Sequence, residues 1–462
     1  MSVTLDPQQW AEEQFGDCQL GDARRTKRAV MLAAQVAAHP SGTTPQQTNG
    51  WGDCKAAYRL FDADGVTFEA LAECHWRQTL ASASGHCLAI GDTTELEFGI
   101  HRKVEGLGPT GDGGGRGFFQ HSSLLIRADN EEVLGMAAQK LFHRQPRPKG
   151  ESRYDRLLRK RESRIWGEVI DMVGPPAEGV RITHIFDRGA DNFEVFCKLL
   201  LQQADWVIRA SQLTRIIHTP TGEAMPLRDY LDTLPLAGTY DLRVRAQKKR
   251  TARTAHLAVR FGRVILKMPQ HRSPWLKKCG IAAIVMWVVE VREVKPPKGV
   301  EPLRWVLYTS HAAETFSAAW RVIEYYEKRP LIEEYHKALK TGCRMEERQY
   351  KTSARLEAVV GMLSVVAVRL LQLRSTARSE PDRPAREVVP LQWIRVLQQL
   401  RRRKHGTNQR EWTVRDFYRE LAGLGGFLGR KGDGEPGWIT LWRGFEKLAP
   451  LIDYAYNSRK CG

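Results

Sequence analysis

Six side chains in three separated stretches have the types and spacing that phosphate chemistry needs. Asp92 in GDTTEL and Asp187 in FDRGAD each follow an apolar run that reads as a core strand, and Glu333 lies in YYEKRPLIEEYHKALK, residues 325–340. A carboxylate just past a buried strand is held rigidly at a sheet edge, and three converging carboxylates can bind two divalent ions about 3.5 to 4 Å apart. One ion would activate water or a 3′-hydroxyl and the other would stabilise the leaving oxygen. Phosphodiester bonds could then be cut or joined without a covalent protein intermediate. In the third stretch Tyr326, Arg329, Glu333 and Lys340 project near 0°, 300°, 340° and 320° on an uninterrupted helix, an arc of roughly 60°. Arg and Lys there would give charge-assisted phosphate contacts, and Tyr a neutral hydrogen bond with an apolar ring.

Each carboxylate has a neighbour that could replace it: Glu95 for Asp92, Asp191 for Asp187 and Glu334 for Glu333. Helical phase separates only the last pair, because Glu334 points about 80° from Tyr326. An Asp at a strand end is also a common turn former. The assignment therefore rests on the combination.

The elements that must position these groups follow from periodicity and punctuation. Residues 1–82 read as helices: one starts after a cap at Asp22 and stops at Pro40, and others cover 53–62 and 67–81. Arg24, Arg25, Lys27 and Arg28 fall in the opening turns of the first, where the helix dipole disfavours cations. A DNA phosphate would offset that cost; simple solvated side chains are the alternative. From residue 83 to 212 the pattern is strand-rich: CLAIGDTTEL ends a short run at Asp92, residues 121–142 form a hairpin, a basic helix spans 154–174, and residues 181–211 read as strand, helix, strand. Residues 213–310 alternate short apolar runs with Gly, Pro and basic turns and read as a β-rich insertion ending in LRWVLYTS. Helices resume over 311–378, and the Pro-rich SEPDRPAREVVP introduces a helical region over 379–462.

The 462 residues carry 71 Lys and Arg against 53 Asp and Glu, a net charge of +18, with ordinary 42% hydrophobic content. This favours a folded chain with a polyanionic partner. Between Leu242 and Val289 there is no acid and there are twelve Lys and Arg, among them Lys248, Lys249 and Arg250. A solvated surface normally mixes signs, so this stretch reads as a polyanion track. Residues 144–164 form a second basic stretch, equally readable as a solvated face. The longest apolar run, IAAIVMWVV, is half the length a membrane span needs, and no leader-like segment opens the chain, which points to the cytoplasm and away from a membrane partner. The eight cysteines form no CxxC pair, and Cys74-His75 with His86-Cys87 read better as core positions than as a metal site.

GDTTEL, FDRGAD and the series Tyr326, Arg329, Glu333, Lys340 resemble the DDE triad and YREK signature of the insertion-sequence-four transposases of the Tn-five type. The resemblance extends through WAEEQFGDCQLGDARRTKR, AAYRLF, VVAVRLLQLR and GGFLGRKGDGEPGWITLWRG. It implies an α/β fold: an RNase H-like core with a β-rich insertion, an N-terminal helical domain that reads transposon ends, and a C-terminal helical domain that dimerises. It further implies that Asp92, Asp187 and Glu333 hold two Mg²⁺ ions, for which Mn²⁺ can substitute. Tyr326, Arg329 and Lys340 would then contact phosphates beside the cleaved bond. Trp305, 21 residues before Tyr326, matches the tryptophan that stacks on a flipped base, with core filler as its alternative; Arg209, 22 residues after Asp187, matches a DNA-contacting position. The implied activity is cut-and-paste transposition by a homodimer on double-stranded DNA, with hairpin formation and resolution, in the bacterial cytoplasm. A non-cleaving end-binding inhibitor relative and a plain two-metal nuclease are the rival functions. One position departs from the pattern: Pro330 stands where Tn-five-type relatives carry tryptophan. Proline removes a helix N–H and biases Arg329 away from helical angles, so a helix starting at Pro330 would leave Tyr326 and Arg329 on its approach.

Overall fold

The computed structural model describes residues 7–99, 101–144, 148, 150–152, 162–244, 251–405, 410–430 and 432–456. Five helices come first: α1 (Pro7–Phe15), α2 (Ala23–Ala38), α3 (Thr44–Gln47), α4 (Trp51–Phe61) and α5 (Phe68–Ala81). Asp22 caps α2 by accepting from Arg24 N, where the sequence places the start. The strands β1 (Gly85–Glu97), β2 (Gly108–Thr110), β3 (Gly115–Arg127) and β4 (Val133–Phe142) follow, then α6 (Ile165–Val173), β5 (Val180–Phe186), α7 (Phe193–Leu201) and β6 (Asp205–Arg209). Of the expected basic helix over 154–174 only Ile165–Val173 is seen as an α-helix, and it carries no Lys or Arg; residues 153–161 lie outside the described residues.

β1 pairs antiparallel with β3 and parallel with β5, and β5 pairs parallel with β6. Next in the chain come β7 (Ile216–His218), β8 (Ala224–Pro226), α8 (Leu227–Thr233), β9 (Gly238–Val244), β10 (Arg253–Lys267), α9 (Pro274–Lys278), β11 (Ala283–Glu293) and β12 (Arg304–Thr309). These strands extend the core sheet, because β12 pairs antiparallel with β6 and hands the ladder on to β11 and β10. One twelve-stranded sheet therefore runs through both regions, in the order β2-β3-β1-β5-β6-β12-β11-β10-β7-β8, with β4 on β3 and β9 on β10.

α10 (Phe316–Glu327) and α11 (Pro330–Lys337) cover the sheet, and a π turn over Ala338–Gly342 ends α11. The long α12 (Ser353–Ser379) packs on α5 and β4. By length and composition its Ser353–Ala377 segment could cross a membrane, but 88% of its apolar window is buried inside the protein. It is a core helix, enclosed by its neighbours. α13 (Leu391–His405), α14 (Val414–Leu424) and α15 (Trp438–Tyr456) complete the chain. A reciprocal capping box between Thr413 and Asp416 starts α14, and Trp393 meets Phe445 edge-on at 5.4 Å between α13 and α15.

Candidate active site

The parallel register of β1 and β5 brings the two aspartates together. Ile90 is paired with Ile185, both fully buried, so two residues further along each chain Asp92 and Asp187 emerge on the same face. Asp92 does not end its strand, as the apolar run suggests; β1 continues to Glu97 on β3, with Asp92 opposite Ser122, after β5 has turned away. Gly91, between Ile90 and Asp92, lets this happen: a Cβ there would lie 2.4 Å from the Phe186 ring. Asp187 leaves β5 as the cap of a short 3₁₀ turn, accepting from Gly189 N at 2.8 Å. Glu333 occupies the first turn of α11, where the helix dipole favours an anion.

One guanidinium joins the three. Arg329 Nη2 lies 2.8 Å from Asp92 Oδ2 and 4.0 Å from Asp187 Oδ2, and its Nη1 lies 2.5 Å from Glu333 Oε1. Burial raises the Asp92 carboxyl to about 6, opposed by Arg329 and by the Thr93 N–H. Two of the three competing carboxylates are engaged elsewhere. The Asp191 side chain is fully buried, pairs with Arg215, and accepts from Ser211 N at 2.7 Å and Ser211 Oγ at 2.8 Å. Glu95 accepts from Gly111 N at 2.8 Å. Among the described residues no three His, Cys, Asp or Glu side chains are already drawn into a cation cage. Three carboxylate oxygens gathered around a cation nonetheless form a hard donor set of the kind Mg²⁺ and Mn²⁺ take.

Pro330 has the effect on the ladder that its chemistry dictates. Around it the backbone bonds tighten to i→i−3: Lys328 N to Tyr325 O at 3.2 Å, Arg329 N to Tyr326 O at 3.0 Å, Leu331 N to Lys328 O at 3.0 Å and Ile332 N to Arg329 O at 3.2 Å. α11 thus begins at Pro330, but Arg329 keeps helical angles, φ −49° and ψ −40°, against the bias of a following proline. The single 60° arc does not survive for Lys340. It lies in the π turn, which changes the residues per turn, and its Nζ sits 3.1 Å from Glu346 Oε1.

Beside the carboxylates a cavity of about 340 Å³ is lined by Trp305, Arg209, Tyr326, Tyr240, Arg329 and Pro330 among others. Leu307 pairs with Arg209 across β12 and β6, so Trp305, two residues from Leu307, shares the face of Arg209. Burial pushes the Tyr326 hydroxyl up, opposed by the nearby Arg209 guanidinium, which donates with Nη2 to Arg304 O at 3.1 Å. Trp305 is partly buried: it packs against the main core and also lines the cavity.

Comparison with known families settles what this frame belongs to. Residues 7–66 match the transposase DNA-binding model, residues 160–369 the transposase DDE domain, and residues 365–461 the transposase Tn5 dimerisation domain. The chain belongs to the Tn5-like DDE transposases. The transposase accordingly binds DNA, dimerises, and carries a DDE nuclease and strand-transfer domain whose chemistry depends on a divalent metal. Its mixed α/β sheet flanked by N- and C-terminal helices is the architecture of that class, an RNase H-like core.

Inside the transposase, several cations expected to face DNA are engaged within the chain. Arg24 pairs with Asp22 at 2.9 Å, Arg25 donates to Leu20 O at 3.2 Å and Asp64 O at 2.5 Å, and Arg28 pairs with Asp53 of α4. These contacts offset the dipole cost within the molecule, and Lys27 alone of the four has no such partner among the described residues. The acid-free stretch is likewise partly neutralised in space. β10 pairs antiparallel with β11, placing Arg260 opposite Glu290, 3.6 Å away, while Arg253 reaches Glu293 at 2.7 Å. Lys248, Lys249 and Arg250 lie outside the described residues.

A polar network behind the site was missed by the periodicity. Gln139 donates to Ser122 Oγ at 3.0 Å and to Tyr335 Oη at 2.8 Å, and accepts from Trp76 Nε1 at 3.3 Å, all buried. It ties α5, β3, β4 and α11 together, and so fixes the helix of Glu333 against the sheet. The signal was QHSS inside an otherwise apolar strand: of its buried polar groups Ser122 enters this network, and His121 Nδ1 meets Thr93 Oγ1 at 2.7 Å.

Proposed function

We propose that this transposase moves DNA by a cut-and-paste route with a hairpin on each end. The supporting observation is the adjacency of the Asp92, Asp187 and Glu333 cluster to the Trp305 cavity, with Arg329 bordering both. Asp92, Asp187 and Glu333 would hold two Mg²⁺ ions, replaceable by Mn²⁺, which when bound supply an activated oxygen nucleophile and a stabilised leaving oxygen. Arg329 and Lys340 would clamp flanking phosphates through charge-assisted contacts, Lys340 after leaving Glu346, and Tyr326 with Arg209 would hold the strand beside the cavity. Trp305 would receive a base turned out of the stack as the hairpin bends, worth about 1–3 kcal/mol of stacking.

The helical region 1–82 would read the transposon end, aided by Arg24, Arg25, Lys27 and Arg28, with the regions 83–212 and 311–378 forming the core, 213–310 its basic insertion and 379–462 the dimer contact. In a homodimer each subunit would read one end and cut the other, then join the freed 3′ ends to target DNA, in the cytoplasm on the nucleoid.

The deciding experiment incubates the protein with labelled DNA carrying the repeats that flank its own gene, with Mg²⁺ or EDTA, on a denaturing gel. Mg²⁺-dependent nicks at the repeat boundary followed by a hairpin band support the route. Nicks without a hairpin leave a plain nuclease, and binding without cleavage leaves an end-binding inhibitor.

A further inference from the structure

Arg329 holds the centre of the carboxylate cluster, and three features of its seat bear on how that cluster takes up metal. Its two Nη atoms reach carboxylates on three separate elements: Asp92 of β1 at 2.8 Å, Glu333 of α11 at 2.5 Å, and Asp187 after β5 at 4.0 Å. Three carboxylates this close repel one another, and a single fixed cation is what keeps them converged. A divalent ion would need the same oxygen lone pairs that now accept from the guanidinium, so the two cations compete.

The second feature is an unused donor. Arg329 Nε is buried and has no hydrogen-bond partner among the described residues. A guanidinium with one orphaned N–H is not fully satisfied where it sits, and an incoming phosphate oxygen would meet that donor. The third is location: Arg329 sits on the tight turn between α10 and α11 and also lines the Trp305 cavity. It can exchange the cluster for a ligand beside it by side-chain rotation, without moving either helix.

We propose that Arg329 is the resident counter-cation of this cluster in the DNA-free protein, and that its transfer to a DNA phosphate is what opens the carboxylates to the divalent ion. DNA and metal binding are then positively coupled through one side chain. The inference rests on Asp92, Asp187 and Glu333 being the ligands.

The test measures Mn²⁺ binding to the full-length protein by the electron paramagnetic resonance signal of free Mn²⁺, with and without a duplex. Without DNA, Arg329→Gln binds Mn²⁺ about tenfold tighter than wild type, Arg329→Lys falls between, and Lys340→Gln, which removes one charge nearby, shifts affinity less than about twofold. The duplex tightens wild type by a similar factor and leaves Arg329→Gln nearly unchanged. An Arg329→Gln affinity equal to or weaker than wild type overturns the proposal, as does an equal gain in Lys340→Gln. Should Arg329→Gln not fold, wild-type affinity that ignores the duplex overturns it on its own. Asp187→Asn separates the underlying assignment: if it leaves Mn²⁺ binding intact, the ligands lie elsewhere and both ideas fall together.

Discussion

At the scale of single residues, the side chains with chemical potential were legible and their company was not. Asp92 and Asp187 could be named as candidates because each follows an apolar run that reads as a strand, and only Glu333 was separated from its neighbour by phase. Asp191 could not be set aside until its burial against Arg215 and Ser211 was seen. Trp305→Ala is expected to slow hairpin formation about tenfold while changing first-strand nicking less than about twofold, since only the bent intermediate requires the stacked base. Single-turnover gels resolve the two steps, and equal slowing of both would return Trp305 to a packing role. Gly91→Ala tests how narrowly the aspartates are placed. Its Cβ meets the Phe186 ring at 2.4 Å, on the residue just before Asp187, so the buried ring, β1 or β5 must shift. The expected cost is about 1–3 kcal/mol in urea denaturation, with cleavage falling further than DNA binding. Unchanged stability would mean that the ring moves aside freely.

Elements were predictable where one local rule governed them and unpredictable where two competed. The α2 cap at Asp22 follows from its side chain alone. Arg329 was subject both to the following proline and to the backbone bonds of its own turn, Arg329 N to Tyr326 O and Ile332 N to Arg329 O, and it keeps helical angles. Lys340 could not be phased because nothing in ALKTG announces a π turn. Just beyond that turn Arg348 fastens the N-terminal helices to the core. It is buried, and donates to Cys343 O at 2.8 Å, to Gln47 Oε1 at 3.0 Å and to Pro40 O at 3.0 Å. Its partners are neutral oxygens, and burial lowers its pKa. Arg348→Met removes those donors and strands the Cys343 and Gln47 oxygens, Pro40 O keeping Gln47 Nε2 at 3.3 Å, so a loss of about 2–4 kcal/mol is expected in thermal or urea unfolding. A loss below about 0.5 kcal/mol would show that water takes over the acceptors.

For the whole molecule, charge summed along the chain and charge presented in space are different quantities. The sheet explains the difference: antiparallel pairing sets Glu290 and Glu293, just past the acid-free stretch, against arginines within it. Arg253 is therefore structural, 12% exposed in its side chain and paired with a Glu293 side chain that is 2% exposed. Lys277 and Lys278 end the short helix α9 without an ion-pair partner among the described residues. Both kinds of cation count equally in the net +18, but only the second can release counterions from DNA. Lys277→Gln with Lys278→Gln is expected to reduce the slope of log Kd against log salt by roughly 1.8, about 0.9 for each phosphate left without its lysine, with stability unchanged. Arg253→Gln should do the reverse, leaving the slope alone and costing about 2–4 kcal/mol because Glu293 stays buried without its cation. Fluorescence anisotropy across a salt series, with urea unfolding of the same variants, distinguishes them. If the double lysine variant keeps the wild-type slope, the α9 end of the insertion does not touch DNA, and the polyanion track must lie along Lys248, Lys249 and Arg250 or on another face.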